Sequence, residues 1–196
     1  MQHTILDQSD VVPGLEAVAL HLDSDQLSSF FPLLQKGVTV PAMVGCTLRS
    51  LLSDQLAIPG DYVTERITTI FLDNRPVDDL DRTIVRDRSR VTLSAAMPGL
   101  VGATVRRGGF YAALRQGISH VAGSGAASGE SGMVRLKLFN LMLAELGPLI
   151  LARGLILEQG ELELLLKSLS CKPVGTSTNT GQVLLTVLFS ELEDIF

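Results

Sequence analysis

This chain has few of the side chains that carry chemistry. Its 196 residues include only two cysteines, Cys46 and Cys171, and three histidines, His3, His21 and His120. The cysteines lie far apart with no Cys-x-x-Cys or Cys/His spacing, which argues against a disulfide framework or a zinc site and fits a reducing cytoplasm. The histidines are isolated; His21 sits in an alternating stretch as a packed or surface residue, without the partner acid or thiol a ligand needs. There is no G-x-S-x-G, H-E-x-x-H or Ser/His/Asp arrangement, no phosphate-binding G-x-x-x-x-G-K-[ST] and no dinucleotide spacing. The expectation is a protein with no catalytic residues, no metal and no cofactor. Long apolar runs are missing too. The richest, residues 139–157, is interrupted by Glu145, Gly147, Pro148, Arg153 and Gly154, so no membrane span is expected. The first residues show no basic segment followed by an apolar one, so no signal peptide is expected. A net charge of −5 argues against general nucleic-acid binding, with local basic clusters at 82–90 and at Arg106-Arg107.

What is present is globular: 46% hydrophobic and 19% charged residues supply a core. Residues 123–132 are Gly, Ser and Ala with one Glu and predict a flexible linker. It would divide a domain at 1–122 from a small apolar, mainly helical module at 133–196. No internal repeat is apparent. In the first part, 15–22 predicts a strand, 26–34 a short helix capped by Asp25 and limited by Pro32, and 37–41 a β-branched strand. Thr47 caps a helix over 48–56, with Leu48, Leu51, Leu52 and Leu56 on one face. Strands follow at 67–72 and 90–95, separated by the turn Asp73-Asn74-Arg75-Pro76 and a brief return. In the second part the spacing of Leu136, Phe139, Leu143 and Leu146 predicts a helix over 134–146. A second helix is predicted over 161–169, and 183–188 is a strand or a third helix. So much aliphatic surface in a small module implies packing on the first domain or self-association.

Several of these stretches carry a resemblance: Val38-Thr39-Val40-Pro41, Thr47-Leu48-Arg49-Ser50-Leu51-Leu52, Ile70-Phe71-Leu72-Asp73-Asn74-Arg75-Pro76-Val77, and Asp87 before Arg90-Val91-Thr92-Leu93. Together they resemble the ubiquitin-like β-grasp superfamily, most closely the sulfur carriers typified by the small subunit of molybdopterin synthase and the thiamine sulfur carrier. Asn74-Arg75 and Arg88-Ser89 depart from the family's usual turn residues. The resemblance implies an α+β, β-grasp mixed sheet with a helix packed on it, and a non-enzymatic, cytoplasmic protein–protein interaction module. The partner it implies is a protein, such as an adenylating enzyme or a sulfurtransferase, with a homo-oligomer as an alternative.

In that family a terminal Gly-Gly threads a narrow channel of the partner enzyme, where side chains would clash. Here Arg106-Arg107-Gly108-Gly109 is followed by Phe110 and further chain. A carrier tail at Gly108 and Gly109 would therefore need cleavage after Gly109. The alternatives are a glycine turn before a helix starting near Phe110, or a ligand-cradling loop built from Gly99, Gly102, Gly108 and Gly109. On the interaction reading, the partner-binding loop holds Pro98, Gly99, Gly102, Arg106 and Arg107 beside an exposed sheet face. Cys46 precedes a helix N-terminus without a neighbouring base and reads as a buried small side chain. The acidic cluster Asp73, Asp78, Asp79, Asp81 and Asp87 lacks calcium-loop spacing and suits turns and solvation.

Overall fold

The structure, a computed structural model, describes residues 15–95, 97, 99–115, 129–169 and 181–190. Alternation of apolar and polar residues sets its main strands, because successive strand side chains point to opposite faces. β1 (Glu16–Asp23) turns Val18, Leu20 and Leu22 inward. β2 (Val38–Val44) buries every second residue from Val38, and β6 (Glu130–Phe139) buries Val134, Leu136 and Leu138. The others are β3 (Thr69–Leu72), β4 (Arg75–Pro76), β5 (Arg90–Ser94), β7 (Leu155–Glu158) and β8 (Gln182–Ser190).

A 3-10 turn at Ser24–Phe30 leads into α1 (Phe31–Lys36), with Pro32 in its first turn, where a missing N–H costs nothing. Thr47 Oγ1 accepts from the Ser50 N–H at 3.2 Å and opens α2 (Leu48–Ser50), which widens into a π-helical turn at Leu51–Gln55. α3 (Gly60–Glu65), α4 (Gly99–Val105), α5 (Met142–Arg153) and α6 (Gln159–Ser168) complete the helices. Asp73 and Asn74, at φ 50° and 65°, make the predicted tight turn between β3 and β4, left-handed backbone being cheapest for these residue types.

The eight described strands form one mixed sheet in the order β1-β8-β7-β2-β6-β5-β3-β4, which corrects the expected fold. A small β-grasp sheet is not what forms. β2 pairs with β6 and touches β7, both from beyond the Gly/Ser-rich stretch, and β1 pairs with β8. The C-terminal part is not mainly helical either, since it supplies three strands and two helices. Residues 134–139, expected as helix, are strand: their apolar residues recur every second position as well as at helical spacing, and pairing on both sides decides between the two. Of the linker expected at 123–132, residues up to 128 lie outside those described, and 130–132 open β6. Buried side chains from both parts make one continuous core.

The two halves also repeat each other. β1, α1, β2 and α2 are matched in order by β6, α5, β7 and α6. Leu22 aligns with Leu138, Leu27 with Leu143, Pro32 with Pro148, Leu34 with Ile150, and Leu48, Leu51 and Leu52 with Leu162, Leu165 and Leu166. The aliphatic members of these pairs are all buried. Gly37 ends α1 at φ 104° and ψ 133°, and Gly154 ends α5 at φ 100° and ψ 134°. The antiparallel strands β2 and β7 meet with Thr39 opposite Ile156, matched residues facing each other as they would across a two-fold axis. The first strands are traded: β6 lies parallel to β5, the last strand of the first half, and β1 lies parallel to β8, the last strand of the second.

Candidate functional site

Most buried strand positions share one side of the sheet, where α1, α5 and α6 pack on β6, β7 and β8, while Thr69, Ser94, Ile156 and Leu184 are buried among the alternate positions. The alternate positions make an open side, and strand register brings its residues into rows. Arg135 lies opposite Thr39 on one flank and Arg90 on the other. Lys137 lies opposite Thr92, which faces Phe71, and Phe139 lies opposite Ser94. Of these, Arg90, Thr92, Lys137, Phe71, Ser94 and Phe139 line a groove of about 440 Å³, closed by Asn74, Met97 and Asn140. That volume falls within the range of binding clefts. The Asn140 side-chain amide donates to Ser94 Oγ at 3.0 Å and fixes one end. A second hollow of about 630 Å³ shares Arg90 and runs over Arg135 to Glu158 and Glu161.

The charges on this face are uneven. Among the described residues, no carboxylate lies within salt-bridge distance of Arg90 or Lys137. The nearby acids are engaged elsewhere. Asp73 accepts from the Arg90 N–H at 2.8 Å and from Ser89 Oγ at 3.2 Å. Asp87 accepts from the Met133 N–H at 2.9 Å, and Asp81 pairs with Arg49, whose guanidinium holds that carboxyl below its usual range. Asp79 accepts from the Asp81 and Arg82 N–H groups. The acidic cluster thus does turn and pairing work, and no metal-holding group of acids, histidines and cysteines occurs among the described residues.

The glycine-rich segment is more ordered than a binding loop needs to be. Pro98 lies outside the described residues. Gly99 begins α4 at φ 77°, and Gly102 is buried so closely under Met97 that a Cβ would collide with the Met97 carbonyl. Arg107 is spent structurally. Its N–H donates to the Thr68 carbonyl at 2.8 Å, and its guanidinium reaches the Val63 and Thr64 carbonyls at 2.6 and 2.9 Å, filling acceptors at the end of α3. Burial draws that guanidinium below its ordinary range. The Arg106 carbonyl accepts from the Gly109 N–H and from buried Arg115, which also pairs with Asp78 at 2.6 Å. Gly108 and Gly109 therefore sit in a fastened turn ahead of the 3-10 helix Phe110–Arg115.

Other candidates fall away from the groove. Half-buried Cys46 donates to the Met43 carbonyl at 3.2 Å, and burial pushes its thiol up, away from a reactive thiolate. His21 lies on the exposed side of β1, while His3, His120 and Cys171 lie outside the described residues. Arg90, Arg135, Lys137, Phe71 and Phe139 are the residues that sequence reasoning missed as a set. Alternation of Arg135, Lys137 and Phe139 with Val134, Leu136 and Leu138 was the available signal. No family model, no curated protein and no solved structure matches this chain.

Proposed function

We propose that the protein is a non-enzymatic protein-binding module whose partner seats on the open side of the sheet, with α4 at its margin. The observation that carries this reading is a sheet face that, among the described residues, α1, α5 and α6 do not cover, since they pack on the other side, and that is grooved and lined by Phe71, Met97 and Phe139 among cations, amides and hydroxyls. Such a mixture of apolar anchors inside a polar rim is what protein interfaces are made of. The described lining of the groove holds no carboxylate, histidine or cysteine to serve as acid, base or nucleophile. Leu100 and Val101 of α4, 71% and 68% exposed, extend the apolar surface beside Met97. Among the described residues no helix is long and apolar enough to cross a membrane.

Photo-crosslinking tests it. A benzophenone amino acid replaces Thr92 on the open face or, in a control, Leu164 on the exposed face of α6. Irradiation in the host's cells is expected to give a discrete heavier species from position 92 and none from 164. Crosslinks from 164 alone, or from neither, would overturn the reading.

A further inference from the structure

Arg90 and Arg135 stand directly opposite each other on neighbouring parallel strands. Like charges so placed repel and weaken a sheet. Lys137 lies one row further along, opposite Thr92, and neither it nor Arg90 has a carboxylate within salt-bridge distance among the described residues. The chain as a whole is acidic, at −5, so three clustered cations are not a reflection of bulk composition. Phe71 and Phe139 flank the stripe, and Phe139 is 37% exposed.

We propose that the open face takes a short, extended, acidic segment of a partner protein that carries one aromatic or large aliphatic side chain. Its carboxylates lie along Arg90, Arg135 and Lys137, relieving the repulsion between the two arginines. Its apolar side chain enters the groove between Phe71 and Phe139. This rests on the protein-binding reading above. A buried apolar anchor ringed by complementary charge is the composition of an interface hot spot, and the charges steer the encounter. Single-stranded nucleic acid uses the same ingredients, aromatic faces and cations, but it needs a long basic track. Here the hollow beyond Arg135 holds Glu158 and Glu161 beside Lys36 and Arg88, which are already paired with Glu161 and Asp87, and those carboxylates would meet the following phosphates.

The test uses the full chain, a display library of random short peptides and, in parallel, an oligouridylate. Enriched peptides are expected to be rich in Asp and Glu around a Phe, Tyr, Trp or Leu. Their affinity, read by fluorescence anisotropy, is expected to fall about tenfold in each of Arg90→Gln and Lys137→Gln and to drop in Phe139→Ala. Arg90→Gln is also expected to raise Tm by about 1–3 °C, since it removes the like-charge pair. A variant that is more stable yet binds less separates lost binding from lost fold. Enriched peptides without acids, affinities unmoved by the two Gln variants, or tighter binding of the oligouridylate than of any peptide would each overturn the proposal. If position 92 crosslinks a partner while no acidic peptide binds, the acidic class fails and the binding reading stands. If the crosslink fails as well, both fall.

Discussion

The first half of the chain, β1 to β5, and the second, β6 to β8, run through the same succession of strand, helix, glycine, strand and helix, yet they end differently. After its second helix the first half adds α3 and the β3–β4 hairpin before its last strand. Among the described residues the second half goes from α6 to β8 alone. Their central strands β2 and β7 meet at matched residues, but the strands outside them are traded between halves. The difference teaches that a shared local pattern fixes elements and their buried faces, while strand order follows from which edges remain to be covered. It also places the groove. β6 of the second half brings Arg135, Lys137 and Phe139 against β5 and β3 of the first, so the candidate site is built from both and belongs to neither.

The strongest way to break this comparison is to separate the halves. A chain ending at Gly109 leaves β2 and β5 without β6, which lies between them. Unpaired interior strands expose a full ladder of backbone groups. We expect that fragment to show no cooperative thermal transition by circular dichroism, and to regain one when residues 110–196 are added in trans. A cooperative transition in the fragment alone would show that the first half needs nothing from the second. The same result would revive a carrier released by cleavage after Gly109.

Matched core positions give the next largest effect. Leu34 and Ile150 are both 0% exposed, and truncation of either to alanine should cost about 2–5 kcal/mol in chemical denaturation. Near-equal losses support equivalence. A gap wider than about 2 kcal/mol, most of the spread seen for one chemistry, would show that the halves share a pattern without sharing packing. The two glycines sharpen the point. Alanine at Gly37 or Gly154 must adopt a positive φ near 100°, a strain of about 1–3 kcal/mol. Gly37→Ala is expected to cost more than that strain alone, because its Cβ would also lie 2.9 Å from the Lys137 side chain.

Much of the first half was legible from local chemistry. Thr47 is a helix cap by type and position, Asp73-Asn74 is a turn by its tolerance of left-handed backbone, and the strands at 16–23 and 90–94 alternate. β6 was not legible, because Leu136, Phe139, Leu143 and Leu146 fit a helical period across a boundary that only Asn140, at φ 57°, marks. With 134–139 taken as helix, Arg135, Lys137 and Phe139 spread around a cylinder and no cationic row exists. The repeat stayed hidden because most of its matched positions are interchangeable aliphatics, which resemble any core, and the distinctive pairs Pro32/Pro148 and Gly37/Gly154 stand at spacings that differ by one residue. Nothing in local spacing says that β6 lies between β2 and β5. That is set by pairing across the whole sequence, and the groove depends on it.

The smallest expected effect concerns a polar clasp between the extra helix of the first half and the second half. The Tyr62 hydroxyl of α3 donates to Glu145 Oε2 in α5, and Arg66 reaches the same carboxylate at 2.5 and 3.1 Å. Arg66 first, then Tyr62, holds the Glu145 carboxyl below its usual range. Burial first, then the bond to Glu145, pushes the Tyr62 hydroxyl up, so it stays a donor at neutral pH. A carboxyl with a lowered folded pKa stabilises the fold above its unfolded pKa, and that contribution disappears as pH falls through the folded value. With Arg66 exposed and screened by solvent, the clasp should contribute little near neutrality. Glu145→Gln should therefore lower stability in urea at pH 7, and its deficit against the unmodified chain should shrink as pH falls from 7 toward 3. Asp81 and Glu161 also have lowered values and add acid dependence to both chains alike, so the difference between the chains isolates Glu145. A constant difference from pH 7 to pH 3 would mean that Glu145 acts by packing, and that α3 is held on the second half by apolar contact rather than by charge.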